Sequence, residues 1–170
     1  MNREMRMRCA LCLSARGDVP LQWSYYAAGH SDYALAFHSS VKLFLGASPV
    51  RYRDEFPKIV VDRAHEPGHA LDETLLSKAK SWRHELEWRV FATRGHPGLD
   101  YIEPQPRTDV DGIYARLPAG ALKALILGVR IWPADKCQVR RLAETADPQI
   151  GVIETKQTRY RFEIHLQTLP

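Results

Sequence analysis

The 170-residue sequence is short of cysteine and has no long apolar run, and each shortage removes a class of protein. Three cysteines are too few for a disulfide framework. Cys9 and Cys12, within an apolar strand-like run, would point to opposite faces, and Cys137 alone cannot complete a zinc site. A thioredoxin-type pair should open a helix after a strand, which this pair does not do. Buried structural thiols are the expectation. No segment approaches membrane-spanning length, and the basic start at residues 1–8 leads into no signal-type apolar segment. A reduced, cytoplasmic protein without a membrane partner is therefore expected. Neither G-x-G-x-x-G nor G-x-x-x-x-G-K occurs, and there is no serine nucleophile elbow, which weakens dehydrogenase, kinase, P-loop and hydrolase readings. Internal repeats and low-complexity tracts are also missing.

What is present is ordinary for a globular chain: 45% hydrophobic and 26% charged residues. The length predicts one domain over residues 1–170, with residues 1–7 poorly ordered. The net charge of +4 comes largely from arginines, among them Arg51, Arg53, Arg159 and Arg161. They read as solvated surface, with a face for nucleic acid or an anionic ligand as the alternative.

The pattern of elements predicts an α+β fold: a mixed or mainly antiparallel sheet with a few packed helices. Strands are expected at 8–14, 33–38, 49–53, 112–117, 123–128, 150–155 and 160–166. In the last of these, Tyr160, Phe162, Ile164 and Leu166 would share a face. Asp18 with Pro20 predicts a helix stopped by Gly29, and Asp72 or Thr74 a helix through Leu75, Leu76 and Ala79. Pro133 predicts a helix through Ala146. Residues 41–45 read as short and irregular, and 62–70 and 95–109 as loops.

The stretch from Trp82 to Phe91 reads as a helix end entering a strand from Glu85. Alternation would place Leu86, Trp88, Val90 and Ala92 on a core face, and Glu85, Glu87, Arg89 and Phe91 on the other. Paired carboxylates beside a guanidinium can spread pKa values and divide binding from proton transfer, so Glu85, Glu87 and Arg89 are the candidate catalytic residues. The competing reading is a salt-bridged surface. Trp23, Ser24, Tyr26 and His30 are the candidate ligand-binding residues: Trp23 and Tyr26 would share a helix face that Ala27 and His30 continue. His65-Glu66-Pro67-Gly68-His69 imitates a zinc helix, but its proline and glycine deny the helix, so no metal site is expected.

Three segments together carry a family resemblance. Cys12-Leu13-Ser14 with Gln22 to His30, Leu76-Ser77-Lys78 through Trp82 to Glu85-Leu86-Glu87-Trp88-Arg89, and Leu122 to Gly128 resemble the motifs of the bacterial domain-of-unknown-function family 2971, over about residues 9–167. The chain departs from the family pattern in having Tyr25 where a histidine is usual, and in lacking the family's usual N-terminal segment. The family carries no settled activity. By a separate analogy, the E-x-E strand and aromatic-serine segment are similar to sites of ADP-ribosyltransferase-like enzymes. That analogy implies a nucleotide-using enzyme, or a partial copy of one, with NAD as the cofactor to consider. Glu87 would hold the ribose hydroxyls, Glu85 the acceptor, and Tyr26 the nicotinamide ring. The alternative is a non-catalytic interaction or nucleic-acid-binding domain, and either could act as an oligomer.

Overall fold

The computed structural model describes residues 8–57, 73–93 and 117–169. In chain order its strands are β1 (Arg8–Ser14), β2 (Tyr33–Phe37), β3 (Ser48–Pro49), β4 (Arg51–Arg53), β5 (Ser77–Ala79), β6 (Glu87–Thr93), β7 (Leu122–Leu127), β8 (Gly151–Gln157) and β9 (Ile164–Thr168). The helices are α1 (Pro20–Tyr26) and α2 (Pro133–Ala146), with 3-10 turns at Lys42–Phe44 and Lys80–Glu85. The fold is α+β with mostly antiparallel sheets, as the sequence predicts. It gathers into two compact units, one of Met1–Ala15 with Lys42–Arg116 and one of Arg16–Val41 with Leu117–Pro170.

In the first unit, β6 lies between β1 and β3 in an antiparallel sheet. A separate parallel pair joins β4 to β5. Proline at the end of β3 closes that strand after two residues, and Val50 turns the chain into β4, so the strand expected over 49–53 is two strands in two sheets. Residues 73–75 are helical, but Ser77–Ala79 is strand, which shortens the helix expected through Ala79. Arg51 N donates to Leu76 O at 2.7 Å, so that β4 captures the segment as a strand.

The second unit is a sheet in the order β2-β7-β8-β9. Strands β7 and β8 are parallel and linked through α2; the outer pairs are antiparallel. Central β7 is an almost continuous apolar run because both of its faces are covered. On one side Ile126 packs with Trp23 and Ala27 and with Ile164. On the other, Leu125 and Leu127 pack with Ile150 and Val152, backed by Val139 and Ala143 of α2. Gly128 follows β7 where a side chain cannot fit: a Cβ there would lie 2.3 Å from His30 O and 2.5 Å from Asp32 O.

Two expectations about this unit are corrected. Asp18 does not cap α1; it is engaged by Arg16 (Nε to Oδ1 2.7 Å), and Val19 takes the cap position with Pro20 in the first turn. Strand β9 starts at Ile164, because residues 158–163 form a turn in which Tyr160 has a φ of 69°. Tyr160 and Phe162 therefore do not share a buried face with Ile164. The expectations for residues 1–7, for the loops at 62–70 and 95–109, for the strand residues 112–116, and for His65 and His69 lie outside the described residues.

Candidate functional site

The pairing of β1 with β6 sets Ser14 opposite Glu87 and Cys12 opposite Arg89 on one face, and Leu13 opposite Trp88 on the other. Strand β6 begins at Glu87, not Glu85. Glu85 ends the 3-10 turn, and Leu86 between them adopts left-handed geometry (φ 46°). The burial departs from that expected from hydrophobicity: Glu85 is 4% exposed and Glu87 6%, whereas Trp88 is 39% and Leu86 41% exposed, and of the expected core face Val90 alone among the described side chains is buried. The charged side of the motif faces inward, and Trp88 is not the core anchor of this strand.

Two buried carboxylates are tolerated because two cations meet them there. The Lys78 ammonium bonds both, donating to Glu85 Oε2 and, at 2.8 Å, to Glu87 Oε2. Arg89 Nε donates to Glu87 Oε1 at 2.7 Å, while its Nη1 donates to Leu75 O. Lys78 Nζ also lies 5.2 Å from the centre of the Trp82 ring, a cation–π distance. The backbone is tied in as well: Glu87 N donates to Tyr52 Oη at 2.8 Å, and Ser14 Oγ to Glu85 O at 2.9 Å. The cluster therefore joins β1, β4, β5, the 3-10 turn and β6.

Burial pushes the Glu87 carboxyl up, but hydrogen bonds from Arg89, Lys78 and Cys12 outweigh it and hold the group down at about 2. Burial pulls the Lys78 ammonium down, yet its bonds to Glu85 and Glu87 leave it raised. Arg89 is raised by its bond to Glu87. Glu87 is thus a fixed anion and hydrogen-bond acceptor. It cannot act as a general base near neutral pH, where a much higher value is needed. The Cys12 thiol is pushed up, first by partial burial and then by Glu87, which disfavours a reactive thiolate. Taken as whole residues Cys9 is half-buried and Cys12 and Cys137 are exposed, although the Cys12 thiol itself is partly buried against Glu87, so the expectation of buried thiols fails outright for Cys137 and in part for Cys12.

Trp23, Ser24, Tyr26 and His30 belong to the second unit. Trp23 is a core residue, 3% exposed, with Nε1 donating to Gly17 O at 2.7 Å. Ala27 shares its buried face, while Tyr26 is 66% exposed and stands edge-on to Tyr25, so Trp23 and Tyr26 do not form one face. Beyond the helix, Ala28, Gly29 and His30 all have positive φ, which folds the His30 ring back onto Trp23 with centres 6.5 Å apart. His30 Nε2 lies 3.1 Å from Ser24 Oγ, which is also 3.1 Å from Pro20 O. A chain from Nε2–H to Ser24 and from Ser24 to Pro20 satisfies both donors. In that tautomer His30 does not activate the serine. Burial, and then Arg130, keeps the imidazole below its ordinary value and so neutral at pH 7.

The two glutamates and Arg89 are visible in the sequence as a motif, whereas Lys78 and Tyr52, which complete the cluster, were missed. Lys78 had a signal, since it stands inside the Leu76-Ser77-Lys78 motif. Tyr52 had none beyond strand alternation. Among the described residues, no group of three or more His, Cys, Asp or Glu side chains is placed to hold a metal ion. No helix among them is long and apolar enough to cross a membrane. Comparison with known proteins gives no match to a family model, to a curated protein or to a solved structure.

Proposed function

We propose that the chain is related to family 2971 and, by a separate analogy, that it uses a nucleotide in the manner of an ADP-ribosyltransferase-like enzyme, or is a partial copy of one, with the Lys78–Glu85–Glu87–Arg89 cluster as its site. The observation that supports this is a buried carboxylate, Glu87, kept ionised down to about 2 by cations on either side. Such a group suits vicinal ribose hydroxyls, which donate hydrogen bonds to it. Its fixed charge also suits an oxocarbenium-like centre, which a preorganised anion stabilises without moving a proton. Glu85 would orient the acceptor. In the transfer, nicotinamide leaves with the electron pair of its glycosidic bond, the acceptor's lone pair forms the new bond, and the acceptor proton passes to water. Titration of the chain with NAD is the test; binding that disappears in Glu87→Gln is the expected result, and no heat from the parent chain rejects the proposal.

One observation favours a second reading, a non-catalytic interaction domain. Both Glu87 oxygens already hold a cation, so a ribose would have to displace a bond or share an oxygen. In that reading the cluster is a brace. Arg51 and Arg53, the basic strand suggested for phosphate contact, both lie near Glu73, at 3.7 and 2.7 Å.

A further inference from the structure

The turn between β8 and β9 exposes what a fold normally hides. Thr158 N donates to Glu163 O at 3.0 Å, closing a tip that carries Arg159, Tyr160, Arg161 and Phe162 in succession. Tyr160 is 92% and Phe162 104% exposed, so neither ring buries apolar surface in this chain. Tyr160 also has a φ of 69°, a region where a bulky residue is an outlier and glycine or asparagine would sit without strain. The Arg159 guanidinium lies 5.6 Å from the centre of the Tyr160 ring, and Arg161 is only 3.8 Å from Glu163 in an exposed pair that salt would screen. Rings and cations therefore alternate along four residues on a closed tip.

We infer that this hairpin tip binds single-stranded nucleic acid, with unpaired bases stacking on Tyr160 and Phe162 and flanking phosphates meeting Arg159 and Arg161. The complementarity carries the choice. A single strand offers the same alternation of π-face and negative charge, and stacking on aromatic rings is tolerant of sequence. A duplex keeps its bases stacked inside and offers the rings nothing. An anionic membrane would also attract the arginines. However, an interfacial anchor needs a wider apolar face than two rings with a cation before each. The reading rests on the second unit alone and does not depend on the cluster of the first.

The test is fluorescence anisotropy of the full chain with a labelled oligothymidine of about 12 nucleotides. The same sequence as a duplex, and phosphatidylserine-containing vesicles, serve as competitors. The single strand should bind, and Phe162→Ala should weaken it about tenfold or more. In Arg159→Gln/Arg161→Gln the log–log salt slope should fall by about 1.4, the change expected when two phosphates of a single strand are no longer neutralised. Both rings are exposed, so these variants should melt with the parent. No binding of the single strand at low salt, equal binding of the duplex, parental affinity in Phe162→Ala, or Phe162-dependent capture of vesicles without oligonucleotide binding would each overturn the inference.

Discussion

Lys78→Met should be among the most destabilising single changes in the first unit. The ammonium it removes bonds Glu85 and Glu87 together, and both carboxylate side chains are only 6% exposed. Removing one partner of a buried ion pair costs about 3–5 kcal/mol. Two features reduce that figure here. Arg89 still holds Glu87, and the Lys78 side chain is 23% exposed, so water can reach part of the vacated space. A loss of about 2–3 kcal/mol at pH 7 is the expected outcome. Urea denaturation with an unchanged slope would read it as a lower midpoint. Adding Glu85→Gln to the variant should recover part of the loss, because an uncharged amide replaces the stranded carboxylate. The loss should also shrink on acidification, because the Lys78 hydrogen bond is one of those that hold the Glu87 carboxyl down at about 2. A Lys78→Met midpoint equal to the parent's, with no effect of the added Glu85→Gln, would refute the reading of the cluster as mutually compensating buried charges.

Trp23→Ala should cost about 3–5 kcal/mol, whereas half-exposed Trp88→Ala should cost about 2 kcal/mol or less; equal losses in parallel urea titrations would mean that Trp88 is as much a core residue as Trp23. Gly128→Ala should cost about 3 kcal/mol, since its methyl would meet two backbone oxygens that cannot yield cheaply; a parental melting temperature would contradict the close approach of that turn to His30 and Asp32. Glu87 has a folded value of about 2, below the ordinary carboxyl value of 4.5, so its contribution is complete above about pH 5 and is lost as pH falls toward 2. The stability gap between the parent and Glu87→Gln should therefore be constant from about pH 5 to 7 and close below it. A gap that stays constant down to about pH 2.5 would mean that the carboxylate is not held by these cations.

The parts of the fold that are legible in the sequence are those where one physical signal dominates. Strand β7 follows from its nearly continuous apolar run, and α2 from Pro133 and the stripe of Val139 and Ala143. Strand β6 shows the limit. Alternation divides its residues into two faces but does not say which is inward, and hydrophobicity alone selects Trp88. The outcome depends on Lys78, which the parallel pairing of β4 with β5 carries to the two carboxylates. Lys78 lies seven residues before Glu85 and nine before Glu87. A strand and a 3-10 turn separate them, so no single period links those spacings and only the tertiary fold brings the three together. The turn at Tyr160 is hidden for a related reason, since its alternating rings imitate a strand while a positive φ at Tyr160 breaks it.

The most direct test of the central claim is calorimetric titration of NAD into the full chain and into Glu87→Gln, with circular dichroism confirming that both are folded at the temperature used. Saturable heat with the parent and none with the variant is the predicted result. Absence of heat with the parent, or the same affinity in both, would contradict a nucleotide site built on Glu87.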